Sequence, residues 1–271
     1  MKKASMCLLA MVIACAACKK DEEEPGCRFV SKTSDNYTYE YRFDVSDKLT
    51  LIQTTTPRNV ADFKYTYQDK QVTIDVTYDV DWLKLRYDIT LNDQGYALTA
   101  QQTIYNRLPD GSFQESVTEN HVFTYDSEGY LTEHQWEEFM YPPGKDKLTK
   151  SFQKQLTYLD GNPVEIIIEK KEPGLKDRIT TIRNQYSTQA NPLKIPFLIE
   201  SSPSGYMKYT YMEILLGKPA RHLIRTSELN ELGRVDTLIQ HTYKFGENGQ
   251  LSEVASNRLF NSKISFENNC P

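Results

Sequence analysis

Between Tyr37 and Phe43 the chain alternates strictly, with Tyr37, Tyr39, Tyr41 and Phe43 on one side and Thr38, Glu40 and Arg42 on the other. Val76, Tyr78, Val80 and Trp82 alternate in the same way with Thr77, Asp79 and Asp81. A period of two with one apolar face predicts antiparallel strands that are covered on one side and wetted on the other. A second pattern links such stretches. Phe123-Thr124-Tyr125 runs into Asp126-Ser127-Glu128-Gly129 and leaves through Tyr130-Leu131-Thr132-Glu133. Ile89 to Leu98 repeats it around Asn92 and Gly95, and Thr242 to Leu251 around Gly246 and Gly249. Looser copies span Phe43 to Leu49, Tyr65 to Ile74, and Leu156 to Ile166 around Asp160-Gly161-Asn162. Each reads as a hairpin: Asp or Asn opens the turn through its side chain, and Gly takes the left-handed position.

About seven or eight such units imply about 14–16 strands, more than an open sheet keeps flat. The expected fold is mostly β: one large antiparallel meander of hairpins, curled into a partial barrel with aromatic residues on the inner face. Helical period is confined to Tyr206–Leu216, where Gly217 supplies a C-cap and Pro219 forbids continuation, so one short helix is expected there. No Pro/Ser-rich linker divides residues 28–271, which read as a single domain.

The N-terminus carries a different signal. Lys2 and Lys3 precede an apolar run of 12 residues, Met6 to Ala17, too short to span a bilayer and of the length of a signal-peptide core. Ala16-Ala17-Cys18 supplies the small residues that signal peptidase II needs before a lipid-bearing cysteine. Cys15 offers a competing site with Val12 three residues before it, but a bulky Ile13 two residues before; a non-lipidated secretory signal is the other alternative. Residues 1–17 therefore read as signal peptide and Cys18 as the lipidated residue. Residues 18–27 form a charged tether that has nothing to bury. Cys18 is followed by Lys19-Lys20-Asp21-Glu22-Glu23-Glu24, which resembles the tether of Bacteroidetes lipoproteins sent to the outer surface.

Once Cys7 and Cys15 leave with the signal peptide and Cys18 is acylated, Cys27 and Cys270 remain. In an oxidising compartment a pair at the two ends of a domain reads as a disulfide. Closing so long a loop would stabilise by about 5 kcal/mol in the chain-entropy model. Two buried free thiols are the alternative.

The hairpin motifs resemble tyrosine–aspartate (YD) repeats. Together with Asn191-Pro192-Leu193, Leu215-Leu216-Gly217-Lys218 before Leu223-Ile224, and the last Tyr-x-Phe…Gly-x-Leu hairpin, they resemble a Bacteroidetes lipoprotein family of unknown function with a porin-like half-barrel fold. The resemblance covers most of residues 28–271. It implies that fold and an outer-membrane or wider cell-envelope address, periplasmic or surface-exposed, and implies no activity.

Chemistry is sparse. Loss of Lys2 and Lys3 takes the formal charge from −5 to −7, and no basic cluster offsets it, which argues against nucleic acid. Of the four histidines, His134 lies closest to carboxylates, but on a strand His134 and Glu138 face one side while Glu137 faces the other. Asp75, Asp79 and Asp81 share a face without the spacing of a Ca²⁺ loop. No nucleophile elbow or phosphate-binding glycine loop occurs. No catalytic residue, metal or cofactor is expected, and the chain is read as a non-enzyme. The leading reading is a lipid-anchored binding or structural module with an envelope protein or glycan as partner; the alternative is a carrier or sensor holding an apolar or glycan ligand in the concave face. The 18 Tyr, 11 Phe and 2 Trp are the one feature that favours ligands, with Tyr39, Tyr41, Tyr65, Tyr67 and Tyr125 as plausible lining residues. An integral outer-membrane barrel is disfavoured because its strands would carry Lys and Glu frequently.

Overall fold

The computed structural model describes residues 28–34, 37–46, 48–141, 147–192, 211–231, 234–247, 249–257 and 263–269. Sixteen strands run in chain order. The first six are β1 (Arg28–Ser34), β2 (Tyr37–Phe43), β3 (Leu49–Thr55), β4 (Val60–Gln68), β5 (Gln71–Tyr78) and β6 (Leu83–Leu91). Five longer strands follow: β7 (Ala97–Arg107), β8 (Phe113–Tyr125), β9 (Leu131–Met140), β10 (Lys147–Leu159) and β11 (Asn162–Lys171). The last five are β12 (Arg178–Ala190), β13 (His222–Glu231), β14 (Arg234–Phe245), β15 (Leu251–Ser256) and β16 (Lys263–Asn269). Each strand pairs antiparallel with its neighbours in sequence.

Two expectations need correction. The sheet is not a partial barrel: β1 pairs with β16, with Arg28 opposite Asn269 and Lys32 opposite Phe266, so the barrel is closed. Closure removes the two sheet edges whose unpaired N–H and C=O groups a half-barrel would leave open. Nor do the described residues of 206–216 form the expected helix. Residues 206–210 lie outside the described residues, and the rest turns only once, in a 3₁₀ turn at Glu213–Leu215. Its apolar residues serve the barrel core instead, since Met212, Leu215 and Leu216 are all buried there. The lipidation site Cys18 and the pair Cys27 and Cys270 also lie outside the described residues.

Alternation divides the wall as expected. On β4, Ala61, Phe63 and Tyr65 are buried inside, whereas Lys64 and Thr66 are exposed. On β6, Leu85, Tyr87 and Ile89 point inward, and Arg86 on the outer face binds Asp88 through two guanidinium nitrogens at 2.8–3.1 Å. On these two strands the dry face of the sheet is the inside and the wet face the outside.

Because hairpins alternate along a meander, the turns at Gly95, Gly129, Gly161 and Gly249 fall at one end of the barrel, here the turn end, whereas the Asp110–Gly111 turn between β7 and β8 lies at the other. Asn92 Oδ1 accepts the amides of Gln94 and Tyr96 at 2.9 and 3.0 Å. Asp126 Oδ1 accepts those of Glu128 and Tyr130, both at 2.9 Å. Gly95, Gly129 and Gly249 hold φ of 82°, 93° and 74°, a region that a residue with a Cβ enters at a cost.

The turn end is closed by the connection between β12 and β13. Lys218 N–H donates to Gly129 O at 3.0 Å, Arg221 N–H to Gly161 O at 3.1 Å, and Asn191 N–H to Arg221 O at 2.8 Å. From there residues 211–217 fill the interior: Tyr211 lies flat on Phe63 with ring centroids 3.5 Å apart, and the Tyr65 hydroxyl donates to Tyr211 O. We call residues 211–221 the strap.

Gly129 joins both features, so its substitution tests them together. A Cβ there would stand 2.9 Å from Tyr96 Cε2, whereas one on Gly95 would meet nothing within 4 Å. Both φ values are left-handed, so Gly95→Ala is expected to cost about 1 kcal/mol and Gly129→Ala clearly more, read from urea unfolding midpoints. Equal costs at the two sites would show that the crowding around Gly129 carries no energy.

Candidate functional site: an aromatic cavity inside the barrel

The strap does not fill the whole interior. Beyond Tyr211, towards the end opposite the turns, a cavity of about 630 Å³ remains. Its wall comes from the inward positions of β2 to β7: Tyr39 and Thr54, then Ala61 and Phe63, Tyr78, Leu85 and Tyr87, and finally Gln102 and Ile104. Tyr211 is the floor, and Tyr37, Thr56 and Asn59 stand at the mouth, where Tyr37 is 40% exposed. The volume falls within the range of small-molecule sites. Burial pushes the Tyr39 hydroxyl up to about 12, with Glu213 adding to the effect, and desolvation also raises Tyr78 and Tyr87. These hydroxyls therefore stay protonated and neutral near neutral pH.

The adjoining wall is different. Strands β8, β9 and β10 turn a stack of rings inward, with His121 between Phe123 and Trp136, and Trp136 flat on Phe152 at 3.7 Å. His121 Nδ1 and His134 Nε2 are 3.0 Å apart, and His121 Nε2 lies 3.8 Å from Glu119 Oε2. Lys150 Nζ binds Glu138 Oε2 at 2.8 Å. Desolvation holds His134 well below its ordinary range and lowers Lys154 to about 8, against the pull of Glu213. Glu213 itself is raised by burial and drawn back by Lys32 and Lys154. The strap carboxylate thus sits in the field of two inward lysines on opposite sides of the lumen.

A third inner patch crosses β11 to β14. Asn184 Nδ2 donates to Pro163 O at 3.0 Å, Ser227 Oγ donates to Asn184 Oδ1 at 2.7 Å, and Ser227 Oγ lies 3.3 Å from His241 Nε2. Burial lowers His241 to about 4.

The five tyrosines expected to line a pocket all face inward. Tyr39 lines the cavity, Tyr41 and Tyr65 belong to the buried core, and Tyr67 and Tyr125 pack against it nearer the turn end. Trp136 is buried and Trp82 is 58% exposed on the opposite rim. His134 and Glu138 point inward and Glu137 outward, as the alternation requires. Asp75 lies on the outer face, and Asp81 instead pairs with Arg107. Among the described residues no three His, Cys, Asp or Glu side chains are placed to hold a metal ion. Sequence reasoning missed Ala61, Gln102 and Tyr211 of the cavity, and the inward Lys32, Glu119, Lys154 and Ser227. For Glu119 the signal was present, since it stands in phase with His121 and Phe123.

No family model matches this chain, and no curated protein sequence matches it. Solved structures do. A porin-like protein from Bacteroides vulgatus is similar over 90% of this chain and 99% of its own, with a TM-score of 0.62 at 12% identity. A porin-like protein from Bacteroides uniformis is similar over 91% of this chain and 100% of its own, with a TM-score of 0.59 at 18% identity. The chain shares their fold.

The buried histidines make stability depend on pH in a defined direction. A folded pKa below the ordinary 6.5 means that the unfolded chain takes up the proton first as pH falls, so this stability is complete above about pH 6.5 and lost towards pH 4. Between pH 7 and 4.5, His241→Leu should lose about 2 kcal/mol less stability than the wild type in urea unfolding, His134 still contributing in both. Parallel pH profiles for the two proteins would contradict the burial of a neutral His241.

Proposed function

We propose that this protein is a lipid-anchored barrel of the bacterial cell envelope that stands in water and holds an apolar small molecule in the cavity at its open end, without transforming it. The cavity carries the proposal: an enclosed wall of rings and aliphatic side chains inside a barrel whose outer face is polar. A membrane-spanning barrel needs an apolar outer band about 25 Å tall. Here the outer positions include Glu40, Lys64, Arg86, Asp88, Gln101 and Asn120. The carboxylates and histidines of the adjoining wall do not line the cavity, whose polar groups are hydroxyls and amides. That composition favours binding over acid–base chemistry, and an apolar ligand over a glycan.

The anchor rests on the sequence, on Cys18 and its charged tether. The disulfide between Cys27 and Cys270 rests, like the anchor, on the sequence alone. One observation favours a partner as well. Tyr37, Trp82, Phe113, Met140, Leu175 and Ile179 are exposed apolar residues near the open end, where a docking protein would deliver or collect the ligand.

Three results are expected. Mature chain carrying Cys18→Ala should leave the membrane fraction and stay monomeric without detergent. It should enhance the fluorescence of N-phenyl-1-naphthylamine, and Ala61→Trp, which fills the cavity, should abolish that signal while the fold is retained by circular dichroism. Mass spectrometry of non-reduced protein should find Cys27 and Cys270 in one linked peptide. Membrane retention of the Cys18 variant would overturn the anchor, probe binding unaffected by Ala61→Trp would overturn the cavity, and two freely alkylated thiols would overturn the disulfide.

A further inference from the structure

Two buried polar atoms of the cavity wall lack a hydrogen bond among the described residues: Thr54 Oγ1, which lies beside the Tyr211 hydroxyl, and Gln102 Oε1. Gln102 on β7 lies between Tyr87 of β6 and Glu119 of β8 in the register, and is 3% exposed. Its Oε1 has no hydrogen-bond partner among the described residues. Buried carbonyl oxygens are rarely left in that state, because each gives up its bond to water on folding. The other amide of the cavity is already engaged: Thr56 Oγ1 donates to Asn59 Oδ1 at 2.6 Å at the mouth. The remaining wall offers ring faces and aliphatic groups with a few hydroxyls, those of Tyr39, Thr54, Tyr78 and Tyr87, and Phe63 and Tyr211 stack at its base.

Resting on the reading that this cavity binds an apolar molecule, we propose that its ligand carries a ring system and one hydroxyl or amine donor, which the Gln102 amide oxygen accepts. The terminal torsion of a glutamine is broad and soft, so the oxygen can turn towards the cavity without breaking a bond of its own. A ligand with many hydroxyls, such as a sugar, would bury more donors than the few hydroxyls and the one free amide oxygen of this wall can accept. A pure hydrocarbon would leave Oε1 as it is. A single donor satisfies both sides, and a site that accepts one buried donor discriminates against the analogue that lacks it.

The test uses 2-naphthol and 2-methylnaphthalene, which share a shape and differ by the exchange of hydroxyl for methyl. Each displaces N-phenyl-1-naphthylamine from the mature Cys18→Ala chain, and the ratio of their affinities is measured. Replacing Gln102 by Leu should shift that ratio by about tenfold towards 2-methylnaphthalene while both compounds still bind. Gln102→Met should shift it the same way, which keeps the test valid if one variant folds poorly. An unchanged ratio in folded variants would overturn the role of Gln102 and leave the cavity reading intact. Failure of both compounds to bind the wild type would overturn the cavity reading, and this inference with it.

Discussion

Closing sixteen strands into one barrel encloses more space than side chains from the wall can fill, and membrane barrels of that size leave an aqueous channel. Here the inward positions of β2 to β6 are largely apolar, and an apolar surface of that extent left to water would forfeit the burial that drives folding. Two devices resolve the conflict. Large rings such as Tyr41, Phe63, Tyr87 and Phe123 take the inward positions, and the strap enters from the turn end to place Tyr211, Met212, Leu215 and Leu216 among them. The cavity is what these devices leave over, which is why its floor is Tyr211 and its mouth lies opposite the strap.

The same constraint explains the buried charges. A strap folded into a lumen brings its backbone and a carboxylate with it, and both need partners. The Tyr65 hydroxyl takes the Tyr211 carbonyl, and Lys32 and Lys154 draw on Glu213. Buried charges stabilise little in themselves, but they favour one placement of the segment over others. The lowered Lys154 and raised Glu213 record the cost of keeping these groups out of water.

Much of this was legible in the sequence because hairpins are local. Alternation at Tyr37–Phe43 and the Asp126–Gly129 turn each fix a strand pair without knowledge of the rest, and the strand count follows by adding pairs. Closure was not legible, since the pairing of Arg28 with Asn269 joins the two ends of the chain and leaves no local mark. The strap was misread for a related reason. Leu215 and Leu216 have helical spacing from Tyr211 and Met212, but they answer to the barrel wall rather than to one another. Gly217 was read as the C-cap of a helix that does not form; its φ of 90° and the approach of a Cβ to within 2.7 Å of Gly129 O come instead from the strap's contact with a turn. The cavity depends on which inward residues the strap leaves uncovered, a question that periodicity cannot address.

A barrel with a polar outer face and room inside for one apolar molecule should keep that molecule in water. Native mass spectrometry of the mature chain, recovered from cells without detergent, tests this most directly. The predicted spectrum shows a monomer carrying one small apolar molecule that solvent extraction removes. A chain recovered only within detergent micelles, or a monomer with nothing bound in any preparation, would contradict it.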